Sequence, residues 1–348
     1  MSSPQKTALI IGANGYIGGA VARAFARASY LTLGLVRSNS SDPLGDLTAY
    51  NIRLVIGAAS NVSAAVTSIQ SCTRTFDLIV IATEDRSLSH FEGTIELVCA
   101  LAKLSNGAGI KPLVIFSSGC KDYGPGDLDG ASNMKPHTEE TSLKAPPSLM
   151  PRTLNALKFL EYPDLFDAVI TRPTNVHGYS SSYYGLFIDL ALAAKEKHTR
   201  LMLPGDPRTI MHSVHVDDCA EAYLAIAEHP DRKQVAGEIF NISPGQKYET
   251  LNRVASALQK VFQLENGVDC IAQELSPANV LFAWSQWVGS EKIRELTGWK
   301  DTRPMFAEDM WRYRREFEKA VRDKDVTLLR LRSRFEGAIK QLVSATEA

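Results

Sequence analysis

The chain has 348 residues, of which 45% are hydrophobic and 22% are charged, and its formal net charge is -1. This composition is that of a globular protein with a sizeable core, and it has no basic excess to favour binding to nucleic acid or to an anionic membrane. The 5 cysteines are scattered and form no C-x-x-C pair, so a disulfide framework or a zinc site is not expected, and a reducing, cytoplasmic location is favoured.

Short apolar runs alternate with segments of helical spacing in the N-terminal half. Continuous apolar strands separated by helices predict an α/β fold with a doubly wound parallel sheet that is covered on both faces. The predicted strands are 7–11, 31–36, 53–56, 77–82, 112–116 and 166–171, and the predicted helices are 16–29, 92–104 and 152–161.

Two polar loops follow strands in the middle of the chain, at 119–151 and 175–184, and such loops commonly carry ligand contacts. The downstream pattern predicts strands at 212–216 and 238–242, helices at 217–228 and 248–262, and a long charged helical tail at 310–342. We therefore predict two domains: a dinucleotide-binding domain of residues 1–173 with 211–243, and a smaller α/β substrate domain of residues 174–210 and 244–348.

A glycine loop joins the first strand to the first helix. Gly12, Gly15 and Gly18 have the spacing G-x-x-G-x-x-G, which allows a tight turn, a close approach of the backbone to a pyrophosphate, and packing of helix on sheet. The amides at the start of the helix then face the phosphates. The alternative is an ordinary βα turn, but the position at the start of a βαβ pattern favours a Rossmann-type site that includes Asn14, Tyr16 and Ile17.

Cofactor selectivity is expected at the end of the second strand. An NAD site would place an acid there for the ribose hydroxyls, whereas this chain has Arg37 followed by Ser38. A guanidinium can pair with a 2′-phosphate and stack on adenine, so we expect NADP(H). The alternative is a solvated arginine at the end of a strand.

Five motifs occur in a fixed order along the chain: the 12–18 loop, Phe116-Ser117-Ser118 before Tyr123-Gly124, the segment 172–178, the segment 214–218, and the segment 238–242. Over residues 7–310 the sequence resembles the extended short-chain dehydrogenase/reductase family of epimerases, dehydratases and reductases. The resemblance implies a substrate domain over the nicotinamide, homodimers in many members, and cofactor contacts from Ala82, Thr83, Ser117, Lys158, Pro173, Asn175 and Val176.

The catalytic set departs from the family pattern. The family places a Ser or Thr four residues before the Tyr-Gly pair, where this chain has Gly119, and a tyrosine four residues before the helical lysine, where it has Leu154. Leucine can be neither an acid nor a base. Lys158 could still hold the nicotinamide ribose, and its alternative is a surface lysine.

Replacement groups for catalysis are therefore sought nearby. Ser118 could hold a water, Tyr123 or His177 could supply a proton, and Arg152 could act as an electrophile or clamp a substrate carboxylate. Three of these residues have a structural alternative. Tyr123 could only line the pocket, His177 could be a packed histidine, and Arg152 could be an ordinary arginine at the start of a helix. Lys121 and Asp122 could pair with each other in solvent.

Aromatic residues in the 175–184 loop, Tyr179, Tyr183 and Tyr184, favour an apolar or aromatic small-molecule substrate, unless they belong to the core. His212 and His215 are three residues apart in a predicted strand and would face opposite sides, so no metal site is predicted. The leading hypothesis is an NADP(H)-dependent reductase. The alternatives are a redox-silent isomerase, cyclase or lyase, and a non-catalytic cofactor-binding protein.

Overall fold

A computed structural model describes residues 5–37, 44–83, 87–180, 182–272 and 280–345. Its strands are β1 (Thr7–Ile11), β2 (Leu31–Val36), β3 (Arg53–Ile56), β4 (Leu78–Ile81), β5 (Leu113–Ser117), β6 (Asp167–Pro173), β7 (Asn175–His177), β8 (Leu201–Pro204), β9 (Ile210–Met211), β10 (Ser213–His215), β11 (Ile239–Ile242), β12 (Glu249–Thr250) and β13 (Val268–Ile271). The helices are α1 (Tyr16–Arg27), α2 (Leu44–Ala49), α3 (Val62–Gln70), α4 (Leu88–Gly107), α5 (Met150–Lys158), α6 (Gly185–Lys197), α7 (Val216–Ala227), α8 (Leu251–Phe262), α9 (Val280–Ala283), α10 (Glu291–Thr297), α11 (Met310–Arg322) and α12 (Val326–Ala345).

The central sheet has seven strands in the order β11-β6-β5-β4-β1-β2-β3 within the described residues. Every neighbouring pair in it is parallel. The predicted doubly wound parallel sheet is therefore confirmed. The strand order reverses beside β1, and in such sheets ligands bind outside the carboxyl ends of the strands at this reversal.

Alternation along β1 builds two cores, one on each face of the sheet. Ala8 and Ile10 pack with residues of α1 and α7, whereas Leu9 and Ile11 pack with residues of α3, α4 and the segment after α5. A third apolar cluster lies in the C-terminal half, where residues of α6, α8 and α11 pack together with Tyr184 and Phe306.

The structure adds elements that the periodicity did not predict, among them α3, α6 and β13. The predicted helix 152–161 begins earlier, at Met150, and gives way after Lys158 to a 3-10 turn. The charged tail, predicted as one helix, is two helices, because Lys324 adopts a left-handed φ of 53° between them. Across the part of the chain that the structure describes, every helix is too short or too polar to cross a membrane.

Candidate active site

The glycine loop after β1 is closed by contacts that leave no room for side chains. Gly12 has a φ of +88°, and a Cβ there would lie 2.7 Å from the Ala82 carbonyl oxygen. A Cβ on Gly18 would lie 2.2 Å from the Gly12 carbonyl oxygen. The amide of Gly15 donates to the same oxygen at 2.8 Å. The first and third glycines are therefore required by packing, which brings the start of α1 directly onto the loop.

The N-terminus of α1 is open to an anion. Its N-cap is Gly15, no side chain caps it among the described residues, and no acid stands in its first turn. The first amides of a helix have no partner within the helix, and its dipole favours negative charge at this end. These features fit a pyrophosphate, as the Rossmann-type interpretation requires.

A cleft of about 1650 Å³ opens at this end of the sheet. It brings together most of the site residues expected from the sequence. These are Gly12, Asn14, Gly15, Tyr16, Ile17, Arg37, Ala82, Thr83, Ser117, Ser118, Arg152, Pro173, Asn175 and Val176. Gly18 is not part of its lining and serves the packing instead. Ser38 lies outside the described residues.

Several cleft segments were not identified from the sequence. They are the loop after β3 with the start of α3, one side of α4, and the start of the last helix, α12. On α12 the Arg330 guanidinium donates from Nη1 to the carbonyl oxygen of Asn14 at 3.3 Å, which places a cation beside the glycine loop. Nothing local in the sequence links residue 330 to residue 14.

Asp122 is the centre of a buried polar cluster beside the cleft. Its carboxylate, in a fully buried residue, accepts from the Ser118 hydroxyl at 2.5 Å, from Arg152 Nη2 at 2.7 Å and from the Thr153 hydroxyl at 2.8 Å. Arg172 Nε lies 3.5 Å from the same carboxylate and is also buried. The expected pairing of Asp122 with Lys121 in solvent is thus wrong, because the carboxylate faces inward and is occupied by two guanidinium groups.

The Arg152 guanidinium lies in the space that a side chain on Gly119 would take. A Cβ on Gly119 would lie 3.3 Å from Arg152 Nη2 and 3.4 Å from Nη1. The guanidinium therefore fills the region where the family places a Ser or Thr side chain. Arg152 lines the cleft, but one of its terminal nitrogens is committed to Asp122.

Lys121 lies in the lining of the cleft with its ammonium group enclosed. Nζ has no hydrogen-bond partner within the described residues and lies 4.7 Å from the centre of the Trp284 ring. Burial, and then the charge of Arg152, lower the pKa of this amine to about 7. Sequence reasoning missed this property, since the residue looks like an ordinary loop lysine.

Tyr123 and His177 are both outside the lining of the cleft. The Tyr123 hydroxyl donates to Asn241 Oδ1 at 2.7 Å and accepts from Arg172 Nη1 at 3.0 Å. His177 is 1% exposed, its Nε2 lies 3.3 Å from the Pro304 carbonyl oxygen, and burial lowers its pKa to about 3. The alternative of a packed histidine therefore describes His177, whereas Tyr123 is buried and is neither a proton donor on the cleft nor a lining residue.

Lys158 also lies away from the cleft, on an exposed part of α5. Arg152 faces the cleft, and about 100° of rotation separates successive helical residues. Residues 154 and 158 therefore turn roughly 200° and 240° from Arg152, and Leu154 is 54% exposed. The expectation that Lys158 holds the nicotinamide ribose is not met by this geometry, which is that of a surface lysine.

The aromatic loop divides between the cleft and the core. Tyr183 lines the cleft, Tyr184 is buried in the third apolar cluster, and Tyr179 is 44% exposed with its hydroxyl bonded to Asp217. His212 and His215 each accept a backbone amide at Nδ1, from Val288 and Asp217 respectively. No group of three or more metal-ligating side chains occurs in the described ranges.

Comparisons with known proteins agree with this fold. The sequence matches the family described as NAD dependent epimerase/dehydratase over residues 8–243. No curated protein sequence matches the chain. The dTDP-glucose 4,6-dehydratase of Bacillus anthracis str. Ames, solved in complex with NAD, is 19% identical with a TM-score of 0.69, covering 90% of this chain and 97% of that one. The UDP-Glc/GlcNAc 4-epimerase of Campylobacter jejuni is 20% identical with a TM-score of 0.68, covering 90% and 99%.

Proposed function

Since the chain belongs to the NAD dependent epimerase/dehydratase family, we propose that it is an NADP(H)-dependent oxidoreductase. It would interconvert a carbonyl and a hydroxyl on a small, apolar or aromatic metabolite. The observation that carries this proposal is the cleft over the glycine loop, in which an open helix N-terminus and Arg37 line one continuous space.

The preference for the phosphorylated cofactor rests on Arg37. Arg37 is exposed, follows β2 directly and lines the cleft beside the segment after β3. A guanidinium in this position suits the 2′-phosphate, whereas an NAD site would carry an acid. Arg330 adds a second cation at the glycine loop, where we assign it to the pyrophosphate.

The substrate class rests on the apolar and aromatic residues in the lining of the cleft. Trp284, Tyr183, Leu149 and Pro146 line it, and Trp284 is 5% exposed. Apolar and aromatic walls with a few polar groups are typical of sites for small organic ligands. The neighbouring proteins named above are a sugar-nucleotide epimerase and a dehydratase, so a sugar-containing metabolite is also worth testing with this cleft.

The direct experiment is a titration of nicotinamide fluorescence with NADPH and NADH for the wild-type protein, Arg37→Ala and a control, Arg27→Ala. Arg27 is exposed at the opposite end of α1. Losing a charge-assisted contact of about 1.5–3 kcal/mol weakens NADPH affinity roughly 10- to 150-fold. NADH affinity and the control should hardly change. Tighter binding of NADH by the wild-type protein would overturn the choice of NADP(H), and binding of neither would overturn the proposal.

A second function, redox-silent isomerisation or elimination, is favoured by Gly119 and Leu154, which leave two family roles without their usual side chains. It predicts product formation with no net change in NADPH absorbance. The same assay with candidate metabolites therefore separates the two functions, because a reductase consumes one cofactor per product.

A further inference from the structure

The proposed reduction needs a proton donor that the family positions do not provide. Hydride addition to a carbonyl carbon leaves negative charge on oxygen, and a positioned acid is required to neutralise it. Gly119 and the exposed Leu154 cannot serve, while Tyr123 and His177 are outside the cleft lining. The proton must come from another group on the cleft.

We propose that Lys121 is the catalytic acid and base of this site. This inference rests on the proposed oxidoreductase function. Lys121 follows β5 by four residues, shares the cleft with Ser118 and Asn175, and has an enclosed Nζ with no hydrogen-bond partner among the described residues. An unpaired buried cation is costly, so its place on the wall of a cleft calls for a function.

The surroundings of the amine explain how it can exchange a proton near neutral pH. Burial of the amine, and then the charge of Arg152, disfavour its charged form, and the Trp284 ring centre lies 4.7 Å from Nζ. The nearest carboxylate in sequence, Asp122, is already bonded to Ser118, Arg152 and Thr153. With a pKa of about 7, both protonation states are populated, which is the condition for efficient acid–base catalysis.

Three other titratable groups on the cleft are less suited. Tyr16 donates its hydroxyl to the Gly178 carbonyl oxygen at 2.6 Å, and burial raises its pKa well above 10.0. The Cys120 thiol donates to the Arg172 carbonyl oxygen at 2.7 Å, and burial raises its pKa well above 9.0. The His90 ring bonds to Thr83 at 2.8 Å beyond the end of β4.

The step balances as a reduction. When bound, the reduced nicotinamide supplies a hydride, which carries two electrons to the carbonyl carbon of the substrate. The π pair of the C=O bond moves to oxygen, and the Lys121 ammonium, turned from its enclosed position into the cleft, transfers a proton to that oxygen. The products are a hydroxyl group, the oxidised cofactor and a neutral amine, which takes a proton from solvent before the next turnover.

The first test measures the amine directly. Protein labelled with 13C at lysine Cε is titrated by NMR, and the signal that disappears in Lys121→Met belongs to Lys121. A titration midpoint near 7 is expected. A midpoint above about 9 for Lys121 would overturn the proposal, since an amine so basic is ordinary.

The second test measures turnover with 9,10-phenanthrenequinone as a carbonyl probe and NADPH. Lys121→Met should lose roughly 100-fold or more in kcat/KM, with NADPH affinity unchanged, and Lys121→Arg should lose the pH dependence near neutrality. Lys158→Met is the matched control and should keep its rate. A Lys121→Met rate within threefold of wild type would overturn the assignment alone. If the wild-type protein binds NADPH but oxidises none, the proposed function fails, and the NMR midpoint still decides the state of Lys121.

Discussion

Replacing Asp122 with Asn tests the buried cluster beneath the cleft. The carboxylate accepts hydrogen bonds from Ser118, Arg152 and Thr153, and its side chain is 1% exposed. The neighbouring Arg172 side chain is 2% exposed. The Asn amide keeps the volume but removes the charge, leaving two guanidinium groups without a counter-ion. Breaking a buried ion pair in this way costs about 3–5 kcal/mol of unfolding free energy.

Urea unfolding at neutral pH, followed by far-UV circular dichroism, measures the loss. Asp127→Asn is the control, because that residue is exposed in the same loop and its replacement should change stability by no more than about 0.5 kcal/mol. The substitution of Arg152 by Met should also cost less in the Asp122→Asn background than in the wild-type protein. A loss of less than about 1 kcal/mol for Asp122→Asn would refute the view that this carboxylate neutralises the guanidinium groups of Arg152 and the buried Arg172.

Two further substitutions probe the loop and a distant buried acid. Gly18→Ala should abolish NADPH binding and lower the melting temperature, because its Cβ would lie 2.2 Å from the Gly12 carbonyl oxygen; Gly107→Ala, where nothing lies within 4 Å, should be neutral or stabilising. Burial raises the pKa of Glu249 to about 7, so the folded state holds a proton that the unfolded state releases above its ordinary pKa. Glu249→Gln should therefore raise the unfolding free energy by on the order of 3 kcal/mol at pH 8 and by little at pH 4, and an equal gain at both values would contradict this.

The sheet and the cofactor loop were predictable because their signals are local. Apolar runs of four to six residues define the strands, and the glycines at 12, 15 and 18 have one spatial arrangement once a strand precedes them and a helix follows. The contacts of Gly18 with the Gly12 carbonyl are a direct consequence of that spacing. Most of the expected cofactor residues accordingly line the cleft.

The catalytic end was less predictable because distant segments determine it. His177 follows a strand of the site, but Phe306 and Tyr313 from the C-terminal region pack around its ring and enclose it in the core. Arg330 comes to the glycine loop across 316 positions of sequence. The orientation of α5 is a second reason why the catalytic residues could not be predicted. The spacing of Leu154 and Lys158 fits the family motif, but the rotation of α5 about its axis turns both side chains outward.

The missing tyrosine and the missing hydroxyl are therefore one coupled change rather than two separate losses. The rotation of α5 that directs Arg152 into the cleft also turns residue 154 to solvent, so a tyrosine placed there would not bring its hydroxyl to the substrate. Arg152 in turn needs the space that a side chain at 119 would occupy, since a Cβ there would lie 3.3 Å from its guanidinium. Burial, and then the charge of the same guanidinium, lowers the pKa of the Lys121 amine to about 7. A glycine, an arginine and a lysine thus take the place of the family's hydroxyl groups, and restoring a side chain at residue 119 alone should displace the Arg152 guanidinium from beside Lys121.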